Sequence, residues 1–69
     1  MSWTEFENTH TVGDIIEGVV AGTVPFGSWV EYLGVTGLVY QRQLPVGTTV
    51  SVRITNIDQD RQRFSLQEL

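Results

Sequence analysis

Between Thr49 and Thr55, Val50, Val52 and Ile54 alternate with Ser51, Arg53 and Thr55. A two-residue period places one set on each face of an extended strand, and no helix tolerates it. The same rhythm recurs along the chain in short segments closed by glycine, proline or polar turn residues. From Gly13, one face reads Ile16, Gly18, Val20, Gly22, Val24, and the other reads Ile15, Glu17, Val19, Ala21, Thr23. Glycines within such a strand predict a sharp bend, as a strand serving two sides of a closed barrel requires. Pro25 ends that segment. In the next one Val30 and Tyr32 share a face, with Trp29 and Glu31 on the other. Leu33 to Gly37 reads as a hairpin connection, Leu38-Val39-Tyr40 as a short third strand, and Gln41 to Gly47, with Pro45, as a longer connection. The phase of the fourth strand slips at Asn56 and Ile57, which predicts a bulge. Asp58 to Gln62 is a polar turn, and Arg63 to Gln67 alternates again as a fifth strand. Five short strands in a chain this size predict an all-β domain, a five-stranded antiparallel barrel of the OB or the SH3-like type. Periodicity does not separate the two.

The chain has 69 residues, so it is one domain at most. A domain this small buries roughly 60% of the surface of its unfolded chain, and its stability is correspondingly marginal. There is no cysteine to staple it or to ligate a metal, so the core works alone. No apolar run approaches the ~20 residues of a membrane-spanning helix. The opening Met1 to Glu5 has no basic stretch followed by an apolar one, so no signal peptide is expected there. These features predict a cytoplasmic protein with no membrane partner. Residues 1–12 form a polar lead-in, either a short helical turn or an extended arm; the spacing of Trp3 and Phe6 would put both on one side of a helical turn.

The net charge of −4 is unevenly spread. Residues 1–41 carry five carboxylates and no arginine, whereas residues 42–69 carry Arg42, Arg53, Arg61 and Arg63 against Asp58, Asp60 and Glu68. The acidic half repels phosphates, so a nucleic-acid site must gather the arginines locally.

The ordered series Val12-Gly13-Asp14, Pro25-Phe26-Gly27-Ser28-Trp29, Gly37-Leu38-Val39-Tyr40, Val52-Arg53-Ile54, and Asp58 followed five residues later by Arg63 resembles the S-one domain. That domain is the repeat unit of bacterial ribosomal small-subunit protein one. The resemblance runs from Val12 to Leu66. It implies an OB-fold barrel over 12–69, with 1–11 as a lead-in or inter-repeat spacer. It also implies a single-stranded RNA-binding module of low sequence specificity, acting in translation beside neighbouring tandem repeats and the ribosome. By motif, the RNA-binding residues it implies are Phe26, Trp29, Tyr40, Arg53, Asp58 and Arg63. This sequence departs from the pattern at Val19, where lysine is frequent, and in its acidic charge. It departs again in the short connection after Tyr40, where Gln41-Arg42 replaces Ile-Ser.

Each candidate also has a plainer reading. Trp29, out of phase with Val30 and Tyr32, should point outward and offer a base-stacking platform, or else pack under the lead-in or against a neighbouring domain. Phe26 either stacks or plugs one end of the barrel. Tyr40 stacks on RNA if the resemblance holds, but simple alternation puts it in phase with Leu38 and favours the core. Arg63 and Arg61 can contact phosphate or stack; pairing with Asp58 and Asp60 is the plainer role, favoured for Arg61. Asp58 can accept from a ribose hydroxyl or a base amino group, orient Arg63, or cap the turn. His10, alone and without cysteine, is expected to be solvated and makes a metal site improbable. No nucleophile elbow, phosphate-cradling glycine loop with lysine, or metal-ligand spacing is present, so neither enzymatic activity nor a cofactor is expected. The competing function is a degenerate acidic repeat that docks on protein. If Arg42, Arg53 and Arg63 converge on Trp29, RNA binding is favoured; if Glu17 and Glu31 dominate that face, docking is.

Overall fold

A computed structural model describes all residues 1–69. One short helix, α1 (Trp3–Thr9), precedes five strands: β1 (Ile15–Val24), β2 (Gly27–Tyr32), β3 (Val35–Tyr40), β4 (Thr49–Asp58) and β5 (Arg63–Glu68). The strands close into a barrel in the order β1-β2-β3-β5-β4, with β4 returning to β1. No helix is long and apolar enough to cross a membrane.

Two irregularities bend the two long strands. The register of β1 slips between Val20 and Gly22, so its first half pairs with β4 and its second half with β2. The register of β4 slips between Ile54 and Asn56, the bulge that the broken alternation predicts. The barrel is not wholly antiparallel as expected: β3 and β5 run parallel, from Gly37 opposite Phe64 to Val39 opposite Leu66. Parity requires it. Directions cannot alternate all the way round a closed ring of five strands, so one pair must run the same way.

The inward residues are those of the predicted alternation in β1 and β4: Ile16, Val20, Val52 and Ile54, joined by Val30, Val35, Val39, Phe64 and Leu66. Gly37 also faces inward, and a Cβ there would collide with the Phe64 ring. The β2–β3 hairpin is tight. Its corner residues Leu33 and Gly34 have φ of 48° and 91°, the left-handed pair that matches the twist of the flanking strands.

Two plugs were not visible in the strand pattern. Leu44, in the connection after Tyr40, joins the core. Its N–H donates to Ser28 Oγ at 2.8 Å, and that hydroxyl donates in turn to the Arg42 carbonyl. The lead-in is helical, with Trp3 and Phe6 on one side as their spacing allowed. Ser2 caps α1, its Oγ accepting the Glu5 N–H at 3.2 Å. A seven-residue helix does not persist alone; Phe6, 0% exposed, holds it by stacking on Phe64 at 4.4 Å. His10 is not the free side chain expected of it. It stacks on Phe6 at 4.7 Å, and its Nε2 lies 3.2 Å from the Tyr32 hydroxyl.

Candidate nucleic-acid interface

The outer face of the barrel is built by cross-strand pairing. Trp29 of β2 lies opposite Leu38 of β3, Leu38 opposite Ser65 of β5, and Ser65 opposite Asn56 of β4. Asp58 and Arg63 face each other one step along. These residues, with Tyr40 and Arg61, line a hollow of about 120 Å³. The β4 bulge is what brings Asn56 and Asp58 into this row, since it shifts the strand's register after Ile54.

Trp29 is half-buried, and the Arg63 guanidinium carbon sits 5.5 Å from its ring centroid. That distance is a cation–π contact, which holds the arginine against the ring while its N–H groups stay free for an anion. Tyr40 points outward and is 55% exposed. Simple alternation led to the core for Tyr40 because it took Leu38 as inward. The strand begins at Val35, so Val35, Gly37 and Val39 are the inward set, while Leu38 and Tyr40 share the outer face. Leu38 is nonetheless only 6% exposed, sheltered beneath its neighbours in the floor of the hollow.

Asp58 does what turn aspartates do: its Oδ1 accepts the Arg61 N–H at 3.3 Å, and its Oδ2 lies 4.0 Å from Arg61 Nε. Arg61 is therefore paired with Asp58 across the turn, and no side-chain hydrogen bond or ion pair joins Asp58 to Arg63. Phe26 is 53% exposed, in the turn next to Gly27, which pairs with Tyr40. Its side chain does not line the hollow. Arg53 lies elsewhere on β4, opposite Ile15 on one side and Gln67 on the other. Arg42 reaches Glu68 at 2.7 Å, beside Tyr40 on a neighbouring groove. The arginines that gather at Trp29 are thus Arg63 and Arg61. Glu17 sits opposite Ser51 and lines no part of the hollow; Glu31 is two residues along β2, opposite Thr36.

Sequence reasoning passed over Leu38, Asn56 and Ser65. A signal for Asn56 existed: a polar residue that breaks the phase just after a clean alternation is where a bulge turns a side chain outward. Asn56 and Ser65 each offer both donor and acceptor, the chemistry that reads a base edge. No group of three or more potential metal-ligating side chains occurs.

Comparison with known proteins identifies the arrangement. The profile of the S1 RNA binding domain matches residues 9–67, which include all five strands but for the last residue of β5, and every residue of the hollow. The chain belongs to the S1 RNA-binding domain family. The chain is 35% identical over 77 aligned positions to small ribosomal subunit protein bS1 of Mycolicibacterium smegmatis, covering 93% of this chain and 16% of that protein. It is 39% identical to bS1 of Staphylococcus saprophyticus, over 78% of this chain and 17% of the relative. This S1 domain thus spans about a sixth of the length of those curated relatives. The 77 aligned positions cover 93% of the 69 residues here, about 64, so the mycobacterial relative carries about thirteen more residues within the matched stretch. Among solved structures, GSP13 from Bacillus subtilis superposes with a TM-score of 0.77 at 25% identity, over 87% of this chain and 56% of that one. A chain of the a/eIF2alpha–aDim2p–rRNA complex from Pyrococcus horikoshii shares the fold, with a TM-score of 0.74 at 14% identity, over 86% of this chain and 44% of that one.

Proposed function

We propose that this S1 domain is a non-catalytic module for single-stranded RNA, part of a ribosomal protein S1-like chain that works in the cytoplasm beside the ribosome. The observation that carries the reading is the Trp29–Arg63 pair set over a floor of Leu38, Ser65 and Asn56. An aromatic ring takes the π-face of any base, which gives affinity without sequence preference. The guanidinium beside it meets the phosphate that follows. Tyr40 continues the stacking surface, Asn56 and Ser65 bond to base edges, and Asp58 accepts from a ribose hydroxyl with the lone pairs its turn leaves free. Phe26, exposed past Tyr40, extends the platform. Arg53, further along β4, contributes at longer range as a phosphate contact for RNA that leaves the hollow.

With few phosphate contacts the isolated domain binds weakly. Working affinity comes from neighbouring repeats that share one RNA and raise one another's effective concentration. The test is an NMR titration of the labelled domain with short oligo-U at low and at moderate salt. Shifts that cluster at Trp29, Tyr40 and Arg63 and weaken with salt are expected. A spectrum that stays silent at millimolar RNA overturns the reading.

A further inference from the structure

Another groove, larger than the hollow, adjoins it, and Trp29 and Arg63 line both. It measures about 540 Å³ and runs from that pair past Thr36 and Gln62 to Trp3 at the start of α1. Three observations distinguish it from an incidental dent. First, Trp3 is held in place. It stacks on Phe64 at 6.3 Å with an interplanar angle of 26°, lies 5.5 Å from Phe6, and its indole N–H donates to Glu7 Oε2 at 3.2 Å. A ring fixed in this way loses little freedom when a ligand packs on it. Second, none of the nine residues lining the groove is acidic and one is Arg63; the carboxylates beside it, Glu7 on the Trp3 indole N–H and Glu31 opposite Thr36, do not line it. Third, Gln62 and Thr36 supply an amide and a hydroxyl along the wall, able to donate and accept at a base edge.

Resting on the RNA reading above, we propose that this groove is a further nucleotide subsite. The single strand continues from the hollow, over the Trp29–Arg63 ridge, to a base lodged between Trp29 and Trp3. All but the last residue of α1 lies outside the stretch matched to the S1 profile, so the far wall of this subsite comes from the lead-in and not from the barrel. The lead-in then has two jobs: Phe6 closes the barrel, and Trp3 lengthens the RNA track.

The experiment compares triuridylate with hexauridylate on the labelled 69-residue chain. The trimer is expected to shift Trp29, Tyr40 and Arg63. The hexamer should also shift Thr36, Gln62 and the Trp3 indole N–H. Gln62→Glu, which sets a carboxylate in the groove to repel the entering phosphate, is expected to weaken the hexamer about fivefold and to leave the trimer within about twofold. If the hexamer adds no shifts at the groove, or if Gln62→Glu weakens both oligonucleotides equally, the subsite is wrong and the RNA reading stands. If neither oligonucleotide binds, both fall.

Discussion

Trp29 has two neighbours that fix its contribution: Leu38 beneath it across the β2–β3 ladder and the Arg63 guanidinium against its ring. Trp29→Ala removes the platform without opening the core, because the ring lies on the outer face. It is expected to weaken oligo-U binding by about 1–3 kcal/mol, read from the same titration, with the thermal midpoint nearly unchanged. Arg63→Gln should act differently. It loses a charge, so affinity falls and the log–log salt slope becomes shallower by about 0.7, the share of one single-strand phosphate. A slope that does not change would place Arg63 away from the phosphates. Trp29 was legible at this scale, since its phase against Val30 and Tyr32 set it outward. Tyr40 and Leu38 were not, because alternation gives two faces but not which is inside, and Gly37, the inward residue just before them, has no side chain to announce it. His10 was equally hidden: nothing in its neighbours along the chain points to Tyr32, twenty-two residues away.

Among the elements, α1 is the one the sequence left between helix and extended arm. A signal was there. Ser2-Trp3-Thr4-Glu5 has the capping-box spacing, and Ser2 and Glu5 do bond to each other. What the spacing could not convey is that Phe6 sits at the centre of an aromatic stack with Phe64, Trp3 and His10. Phe6→Ala is therefore expected to cost about 3–5 kcal/mol, comparable with the whole stability of so small a domain, and to leave a chain largely unfolded in a urea or thermal melt followed by circular dichroism. Gly37→Ala tests the opposite limit. The added methyl would meet the Phe64 ring and the Leu66 methyl, and overpacking of that kind costs about 1–3 kcal/mol on the same melt. The five strands and the β4 bulge were readable because burial imposes alternation and the bulge interrupts it. The parallel β3–β5 pair was not, for it follows from closure, which no local pattern records.

For the molecule as a whole, charge governs. On the proposed reading, a net −4 chain meets RNA through the arginine set against Trp29, while Glu17 lies opposite Ser51 on another part of the barrel. The predicted consequence is a shallow salt dependence for one domain, and a steeper one when two copies are joined in a single chain, since phosphate contacts add along the strand. Measuring both slopes checks it; equal slopes would mean that joined copies do not engage one RNA together. The closed ring of strands bears on the same arrangement from another side. Every strand here has a hydrogen-bonded neighbour on both flanks. A sheet with open flanks, tethered beside a copy of itself, would offer its exposed peptide groups to that copy and invite mispairing or exchange of strands. A barrel without an edge can be strung repeatedly along one polypeptide and keep each unit separate, so that RNA rather than backbone is what joins them.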